Sequence, residues 1–112
     1  MKGIRALLEA KVAGFNEDPG KKRVIQEWID GYRCKVICFK TENEAFHLVF
    51  NKGEVILKTG DYSSCEFSYL GPDDALVQIL EAKSSARSAG TSGRIKGWGS
   101  LNEAQQFESL LT

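Results

Sequence analysis

The chain has 112 residues and a mass of 12.4 kDa, and its 15 basic and 15 acidic side chains give a formal net charge of zero. At this length we expect one domain over residues 1–112, in which folding hides roughly 65% of the unfolded surface, so a core can form without disulfides or metals. Apolar residues make up 42% of the chain and charged residues 27%, which excludes a disordered protein, and no apolar run is long enough to span a membrane. The N-terminal residues lack the pattern of a signal peptide, so we predict a cytoplasmic protein.

Two helices are predicted in the first third of the chain. Residues 2–15 carry one apolar stripe at helical spacing, formed by Ile4, Leu7, Leu8, Val12 and Phe15. Asp18 is a suitable N-cap and Pro19 suits the first helical position, so a second helix is expected to run to about Tyr32. Its predicted buried face consists of Val24, Ile25, Trp28 and Ile29.

The hydrophobic period changes from 3.6 to 2 after Gly31, which indicates strands. Residues 33–40, 45–51 and 54–59 are β-branched or aromatic runs with short hairpin-type connections, so three antiparallel strands are expected. A fourth strand is predicted over residues 65–70, with one face formed by Cys65, Phe67 and Tyr69.

The last third of the chain begins with a helix start at Pro72. The carboxylates of Asp73 and Asp74 suit the positive end of a helix dipole, and the apolar face of this helix would be Ala75, Leu76, Ile79 and Leu80. Residues 83–92 carry almost nothing that could fill a core, so we expect a polar turn there. A short strand over residues 93–99 follows.

A final helix from Leu101 to Leu111 is indicated by the capping-box pattern of Ser100 and Glu103. The face that it turns to the sheet would be Leu101, Ala104, Phe107, Leu110 and Leu111. Across all predicted elements, the apolar positions are expected to meet in one core that includes Phe46, Leu48, Val55, Leu57, Phe67, Ile79, Ile95 and Phe107.

The side chains that could carry chemistry do not form a catalytic or metal-binding pattern. Cys34 and Cys38 would lie about 13 Å apart on a strand, too far for a disulfide or a shared metal, and His47 is the one histidine of the chain. We therefore expect free thiols, no metal and no cofactor, and a His47 that is solvent-facing or hydrogen-bonded in the sheet. Neither a nucleophile with its base nor a basic stripe with interleaved aromatic residues is visible, which argues against an enzyme and against a nucleic-acid binder.

The charges are unevenly distributed along the chain. Residues 61–81 carry five acids and no base, whereas residues 83–98 carry four bases and no acid, namely Lys83, Arg87, Arg94 and Lys96. Two interpretations remain open for the basic segment: a solvated turn that complements the acidic helix before it, or a site for a small anion or a lipid head group.

Residues 45–111, about sixty per cent of the chain, resemble the sterol carrier protein type 2 family. The similar segments are the strand pair AFHLVFNKGEVIL, the strand and helix SSCEFSYLGPDDALVQIL, the run Gly93-Arg94-Ile95-Lys96, and Gly99 before the Ser100 cap. Residues 83–92 depart from the family, because lipid-carrying members have apolar residues there. The resemblance implies an α+β fold with a five-stranded, mostly antiparallel sheet, helices packed on one face, and an apolar tunnel between the two layers.

The function implied by this resemblance is the binding or carrying of an apolar small molecule, such as a lipid, a fatty acyl chain or a sterol, without catalysis. The expected ligand contacts are Trp28, Phe46, Leu48, Phe67, Ile79, Trp98 and Phe107. For the two tryptophans a place in the core or at the sheet edge is favoured over a ligand wall, unless both border the same cavity. Lys83 and Arg87 would lie near the entrance and meet a head group. The alternative is a non-catalytic interaction domain with a collapsed cavity, acting as a homodimer or with a protein partner.

Overall fold

The computed structural model describes residues 3–112, so residue 2, where the predicted first helix begins, lies outside the described residues. Within that range the chain forms five α-helices and one sheet of five strands. In chain order the elements are α1 (Ile4–Glu17), α2 (Pro19–Trp28), β1 (Cys34–Lys40), β2 (Ala45–Asn51), β3 (Val55–Thr59), β4 (Phe67–Leu70), α3 (Asp73–Leu80), α4 (Ala86–Thr91), β5 (Lys96–Gly99) and α5 (Leu101–Glu108), followed by a 3₁₀ turn (Ser109–Leu111).

The five strands lie in the order β3-β2-β1-β4-β5. Every neighbouring pair is antiparallel except β1 and β4, which run parallel, so the predicted mostly antiparallel sheet is confirmed. The parallel pair places Ile37 of β1 opposite Phe67 of β4, while the antiparallel pair places the same Ile37 opposite Leu48 of β2. The strand in the middle of the sheet is therefore the first one in the sequence.

One face of the sheet, here called the inner face, packs against the helices and carries Ile37, Phe39, Leu48, Phe67 and Tyr69. All eight residues predicted to share a core do so: seven are buried, and Leu57 packs against them from a half-buried position. The strand alternation and the helical stripes thus predicted the inner layer correctly.

The ends of α1 and α2 show how local chemistry shapes the helical layer. The carboxylate of Asp18 accepts hydrogen bonds from the backbone N–H groups of Gly20 (2.9 Å) and Lys21 (3.2 Å), which confirms the predicted N-cap. Two residues earlier, the Asn16 side chain donates to the carbonyl of Val55 (3.0 Å) and accepts from its N–H (2.8 Å). Asn16 thereby occupies backbone groups on the free edge of β3.

The structure corrects four details of the predicted helices. α2 ends at Trp28, earlier than the expected Tyr32, and Val24 is 42% exposed instead of buried. Leu101 at the start of α5, which was expected to face the sheet, is also exposed, at 43%. The α-helical part of α5 ends at Glu108, and the last turn tightens to 3₁₀ geometry.

The polar turn predicted for residues 83–92 is wrong, because α4 lies there. Its start is fixed by a reciprocal capping box between Ser85 and Ser88, in which each side chain accepts from the backbone N–H of the other. Only two small side chains, Ala86 and Ala89, are buried. A helix that contacts the core through two alanines leaves no apolar stripe for sequence analysis to detect.

The loop of residues 60–66 lies across the opposite, outer face of the sheet. The Nδ1 atom of His47 lies 2.8 Å from the Gly60 carbonyl, the Tyr62 ring packs on the His47 ring, and Lys40 pairs with Asp61. His47 is 7% exposed, so it is hydrogen-bonded under the loop and is not solvent-facing.

Cys65 belongs to this loop, so its predicted place on the face of Phe67 and Tyr69 is wrong. The backbone N–H and the carboxylate of Glu66 both bind the backbone of Val36 (2.8 and 2.5 Å), and this turns the preceding residue away from the strand. The Cys65 thiol neighbours Cys38, whose own thiol points to the outer face and donates to the Tyr62 carbonyl (3.3 Å).

Candidate functional site

A continuous layer of aromatic rings fills the space between the inner face and the helices. The ring of Phe107 on α5 lies 5.7 Å from Phe39, 5.9 Å from Phe50 and 6.2 Å from Tyr69, measured between centroids. Phe39 stacks on Tyr69 (5.2 Å), and Tyr69 meets Phe67 edge-on (4.9 Å). We call these five rings the aromatic layer. All five rings are buried in the core.

Trp28 extends the aromatic layer at one end and brings it to a buried charge. Its ring lies 5.0 Å from Phe50, and the ammonium of Lys35 lies over the same indole at 5.4 Å and over the Tyr32 ring at 4.6 Å. The Lys35 ammonium also makes a 2.6 Å ion pair with Glu103. We call these four residues, Trp28, Tyr32, Lys35 and Glu103, the lysine cage. Sequence analysis did not predict the lysine cage. The available signal was that Lys35 lies two residues before Ile37 and four before Phe39, so all three share one face of β1.

A second polar contact lies inside the layer. The hydroxyl of Tyr69 donates to Glu108 over 2.6 Å, and the same carboxylate oxygen accepts the backbone N–H of Ala86 over 2.9 Å. Burial, and then the charge of Glu108, hold the pKa of Tyr69 above its ordinary value, so the phenol stays protonated and acts as a donor.

Two open grooves lie on the surface, and none of the five rings lines either of them. One, of about 910 Å³, lies where the β1–β2 turn, the end of β4 and residues 93–96 meet; its rim is acidic on the Glu42 and Glu44 side and basic on the Arg94 and Lys96 side. The Arg94 guanidinium is already held by Gln78, Ser84 and Ser92. The other groove, of about 300 Å³, lies between α1 and β3 and has Phe46 and Leu57 among its walls.

The structure brings together most of the predicted ligand contacts. Five of them, Phe46, Leu48, Phe67, Ile79 and Phe107, are buried in one core, and Trp28 packs against it. Trp98 does not join them: it is paired with Ser68, whose neighbours in β4 face the helices, so its side chain lies on the outer face and is 58% exposed. The head-group candidates Lys83 and Arg87 are exposed on the surface, and Lys83 pairs with Glu81 at 3.3 Å.

No step of a reaction is suggested by the titratable groups on the outer face. Burial, followed by the neighbouring Cys65 thiol, raises the pKa of Cys38 to about 12, which makes it a poor nucleophile. Among residues 3–112 no group of three or more metal-ligating side chains is assembled. In the same range, none of the helices combines the length and the apolar character needed to cross a bilayer.

Comparison with known proteins decides the family. The model of the SCP-2 sterol transfer family matches residues 13–112. The chain belongs to this family. No curated protein sequence matches this SCP-2 chain.

Solved structures share the SCP-2 fold at low sequence identity. A ubiquinone synthesis protein, UbiJ-SCP2, has a TM-score of 0.71 at 15% identity, covering 96% of this chain and 94% of that one. The sterol carrier protein domain 2 of Helicoverpa armigera has a TM-score of 0.69 at 16% identity, covering 96% and 83%. A palmitated SCP2L2 from Aedes aegypti has a TM-score of 0.59 at 12% identity, covering 98% and 95%. At these identities the likeness establishes the fold.

Proposed function

We propose that this SCP-2 chain binds a single-chain lipid, most simply a fatty acyl chain, between the inner face of the sheet and the helices, and that it acts as a carrier and not as an enzyme. The observation that carries the proposal is the aromatic layer, a continuous enclosed apolar surface in a chain of the SCP-2 sterol transfer family. The mosquito protein of the same fold that is described as palmitated supports an acyl chain as the ligand.

Binding in this layer requires the rings to separate. Five rings now contact each other at 4.9–6.2 Å, so an acyl chain must replace ring–ring contacts with ring–methylene contacts. Burying ten methylenes gains roughly 8 kcal/mol before the losses of immobilisation and ring displacement. A Kd of about 100 μM requires roughly 5.5 kcal/mol, so binding at that level tolerates losses of about 2.5 kcal/mol. The wall most suited to move is α4, which contacts the core through only Ala86 and Ala89.

Titration with palmitate tests the proposal, with tryptophan fluorescence as the readout. Trp28 borders the aromatic layer and Trp98 lies on the outer face, so the two residues form a matched pair. We expect saturable binding below about 100 μM, with a fluorescence change that survives Trp98→Phe and disappears in Trp28→Phe. A change that follows Trp98 would place the ligand outside the layer. Absence of saturable binding would reject the carrier function.

The close contacts within the aromatic layer also favour a second function, an interaction domain whose interior stays filled. In that case palmitate does not bind, mass spectrometry of an organic extract of the purified protein finds no lipid, and sedimentation shows a homodimer or a complex. The titration and the sedimentation experiment therefore separate the two functions.

A further inference from the structure

Lys35 is a buried charged residue on the inner face of β1, on the same side of the strand as Ile37 and Phe39. Its side chain is 7% exposed, and its ammonium lies between the carboxylate of Glu103 and the rings of Trp28 and Tyr32. A lysine ammonium has three N–H donors. The carboxylate accepts from it directly, whereas the two rings attract the charge through their faces and leave capacity for another oxygen acceptor.

The lysine cage is directly continuous with the aromatic layer. Lys35 is the cross-strand partner of Phe50, and Glu103 lies four residues before Phe107 on the same side of α5. The rings of Phe50 and Phe107 are 5.9 Å apart. The ion pair and the ring pair are thus adjacent on the same two elements, and Trp28 contacts both of them.

Stability alone gives little reason for this ion pair. A buried ion pair seldom stabilises a fold more than well-packed apolar residues, because both charges lose their hydration. The Glu103 side chain also does not complete the capping box of α5. In a capping box it would accept from the backbone N–H of Ser100, but that N–H binds the Glu66 carbonyl instead. The Glu103 carboxylate turns to Lys35 and to the indole N–H of Trp28 (3.4 Å).

We infer that the lysine cage is the head-group end of the lipid site and that Lys35 binds the anionic oxygen head of a single-chain amphiphile, with a fatty-acid carboxylate as the simplest case. The inference rests on the proposed function and adds the class of ligand and its direction. The ligand carboxylate takes the place of Glu103 at Lys35, and its chain extends past Phe50 into the aromatic layer. Glu103, which is 18% exposed, then turns toward solvent.

The other cations that could meet a head group are less suited to select one. Lys83 and Arg87 are exposed, and Arg5 beside Phe46 has a side chain that is 61% exposed. A hydrated surface charge contributes little to the binding of another charge, whereas the attraction strengthens where water is excluded. Lys35 alone among these cations combines a charge with burial.

The first experiment compares palmitate, hexadecyl phosphate, hexadecanol and hexadecyltrimethylammonium on the whole chain by calorimetry. Lys35→Met should weaken palmitate binding at least about tenfold and leave hexadecanol unchanged, since a charge-assisted hydrogen bond is lost. Glu103→Gln should strengthen palmitate binding, because the competing carboxylate is removed while the amide still fits beside Trp28. The matched control, Lys83→Gln with Arg87→Gln, should change neither ligand.

The second experiment measures the direction of the bound chain. In the Trp98→Phe background the remaining tryptophan is Trp28, at the lysine cage. A stearate with its spin label at carbon 5 should quench Trp28 more strongly than one labelled at carbon 16. The reverse order would place the head group at the far end of the layer and overturn the assignment.

The outcomes separate this inference from the proposed function. If none of the amphiphiles binds, the carrier function itself fails. If palmitate and hexadecanol bind equally well and Lys35→Met changes neither, the carrier function stands and the head-group assignment falls. A preference for the trimethylammonium ligand would instead make the aromatic rings and Glu103 a cation site. Because Lys35→Met leaves Glu103 unpaired, the double variant Lys35→Met/Glu103→Gln keeps the test valid if the single variant does not fold, and it should show the same loss.

Discussion

The hydroxyl of Tyr69 donates a 2.6 Å hydrogen bond to Glu108, and through that carboxylate β4 is joined to both α5 and α4. Glu108 accepts from the tyrosine and from the first N–H of α4 at the same oxygen, so it completes the start of a helix that has only two buried side chains of its own. The contact thus holds α4 in the lipid-free protein, and it is α4 that we expect to move when a lipid binds.

This contact predicts an alkaline loss of stability. The pKa of Tyr69 is raised in the folded state, by burial and by Glu108, above the value of about 10 that it has when unfolded. The stabilisation is therefore complete below about pH 10 and decreases above it, because the unfolded chain then releases a proton that the folded chain keeps. Urea titrations between pH 8 and 11.5 should show parallel slopes for the wild type and Tyr69→Phe below about pH 10. Above it the free energy of unfolding should fall more steeply in the wild type, by a difference that approaches about 1.4 kcal/mol per pH unit. Slopes that stay parallel above that pH would contradict the prediction.

Phe107 lies at the centre of the aromatic layer and is fully buried. Phe107→Ala should lower the free energy of unfolding by about 3–5 kcal/mol, because it removes a buried ring and leaves a cavity. The control is Leu101→Ala on the same helix, where the side chain is exposed and the loss should stay near 0.5 kcal/mol. Denaturant titration measures both, and a loss below 1 kcal/mol for Phe107→Ala would show that the rings are not packed as described.

The three free cysteines should differ in reactivity. Cys38 is fully buried and its pKa is raised from 9.0 to about 12, which leaves about a thousandfold less thiolate at pH 8. A maleimide should therefore label Cys34 and Cys65, which are half-buried, well before Cys38 in the native protein. Mass spectrometry of the labelled peptides follows each site, and denatured protein, in which all three should react alike, is the control. Fast native labelling of Cys38 would mean that the loop of residues 60–66 opens readily.

Asn16 protects the edge of β3 through both halves of its amide. Asn16→Asp keeps the acceptor for the N–H of Val55 but loses the donor and sets a carboxylate oxygen against the Val55 carbonyl. We expect a loss of about 1–3 kcal/mol in the free energy of unfolding. Asn43, in the exposed β1–β2 turn, provides the matched control, since Asn43→Asp should be nearly neutral. Equal effects at the two positions would show that the edge contact does not matter.

Much of the fold could be predicted because burial and periodicity agree along most elements. The alternation of Phe46, Leu48 and Phe50 identified the inner face, and Asp18 with Pro19 identified the start of α2. The errors fall where tertiary contacts override the local pattern. α4 depends on Ser85, Ser88 and the distant Glu108, and a helix of that composition has no periodic signal.

The candidate site was predicted in part. The buried aromatic and aliphatic residues were predicted from their alternation along the strands and their spacing along the helices. The position of Trp98, in contrast, follows from its pairing with Ser68, which sequence alone does not specify. The lysine cage joins residues 28, 32, 35 and 103, and the last of these meets the others only after the chain has completed the sheet. The one local indication of the lysine cage was a single lysine, Lys35, among the apolar residues of the inner face of β1.

The sheet order has a consequence for synthesis of the chain. β1 pairs early with β2, but its other neighbour, β4, is separated from it by the whole β2–β3 hairpin, and α5 comes last. α1 and α2 are made first, and Trp28 can already contact Phe50, but Phe39 lacks its partners Tyr69 and Phe107 until these emerge from the ribosome. A nascent chain of about 65 residues therefore still exposes part of the apolar inner face of its first three strands. A chaperone that binds exposed apolar surface should engage the chain at that length and release it once α5 has been made.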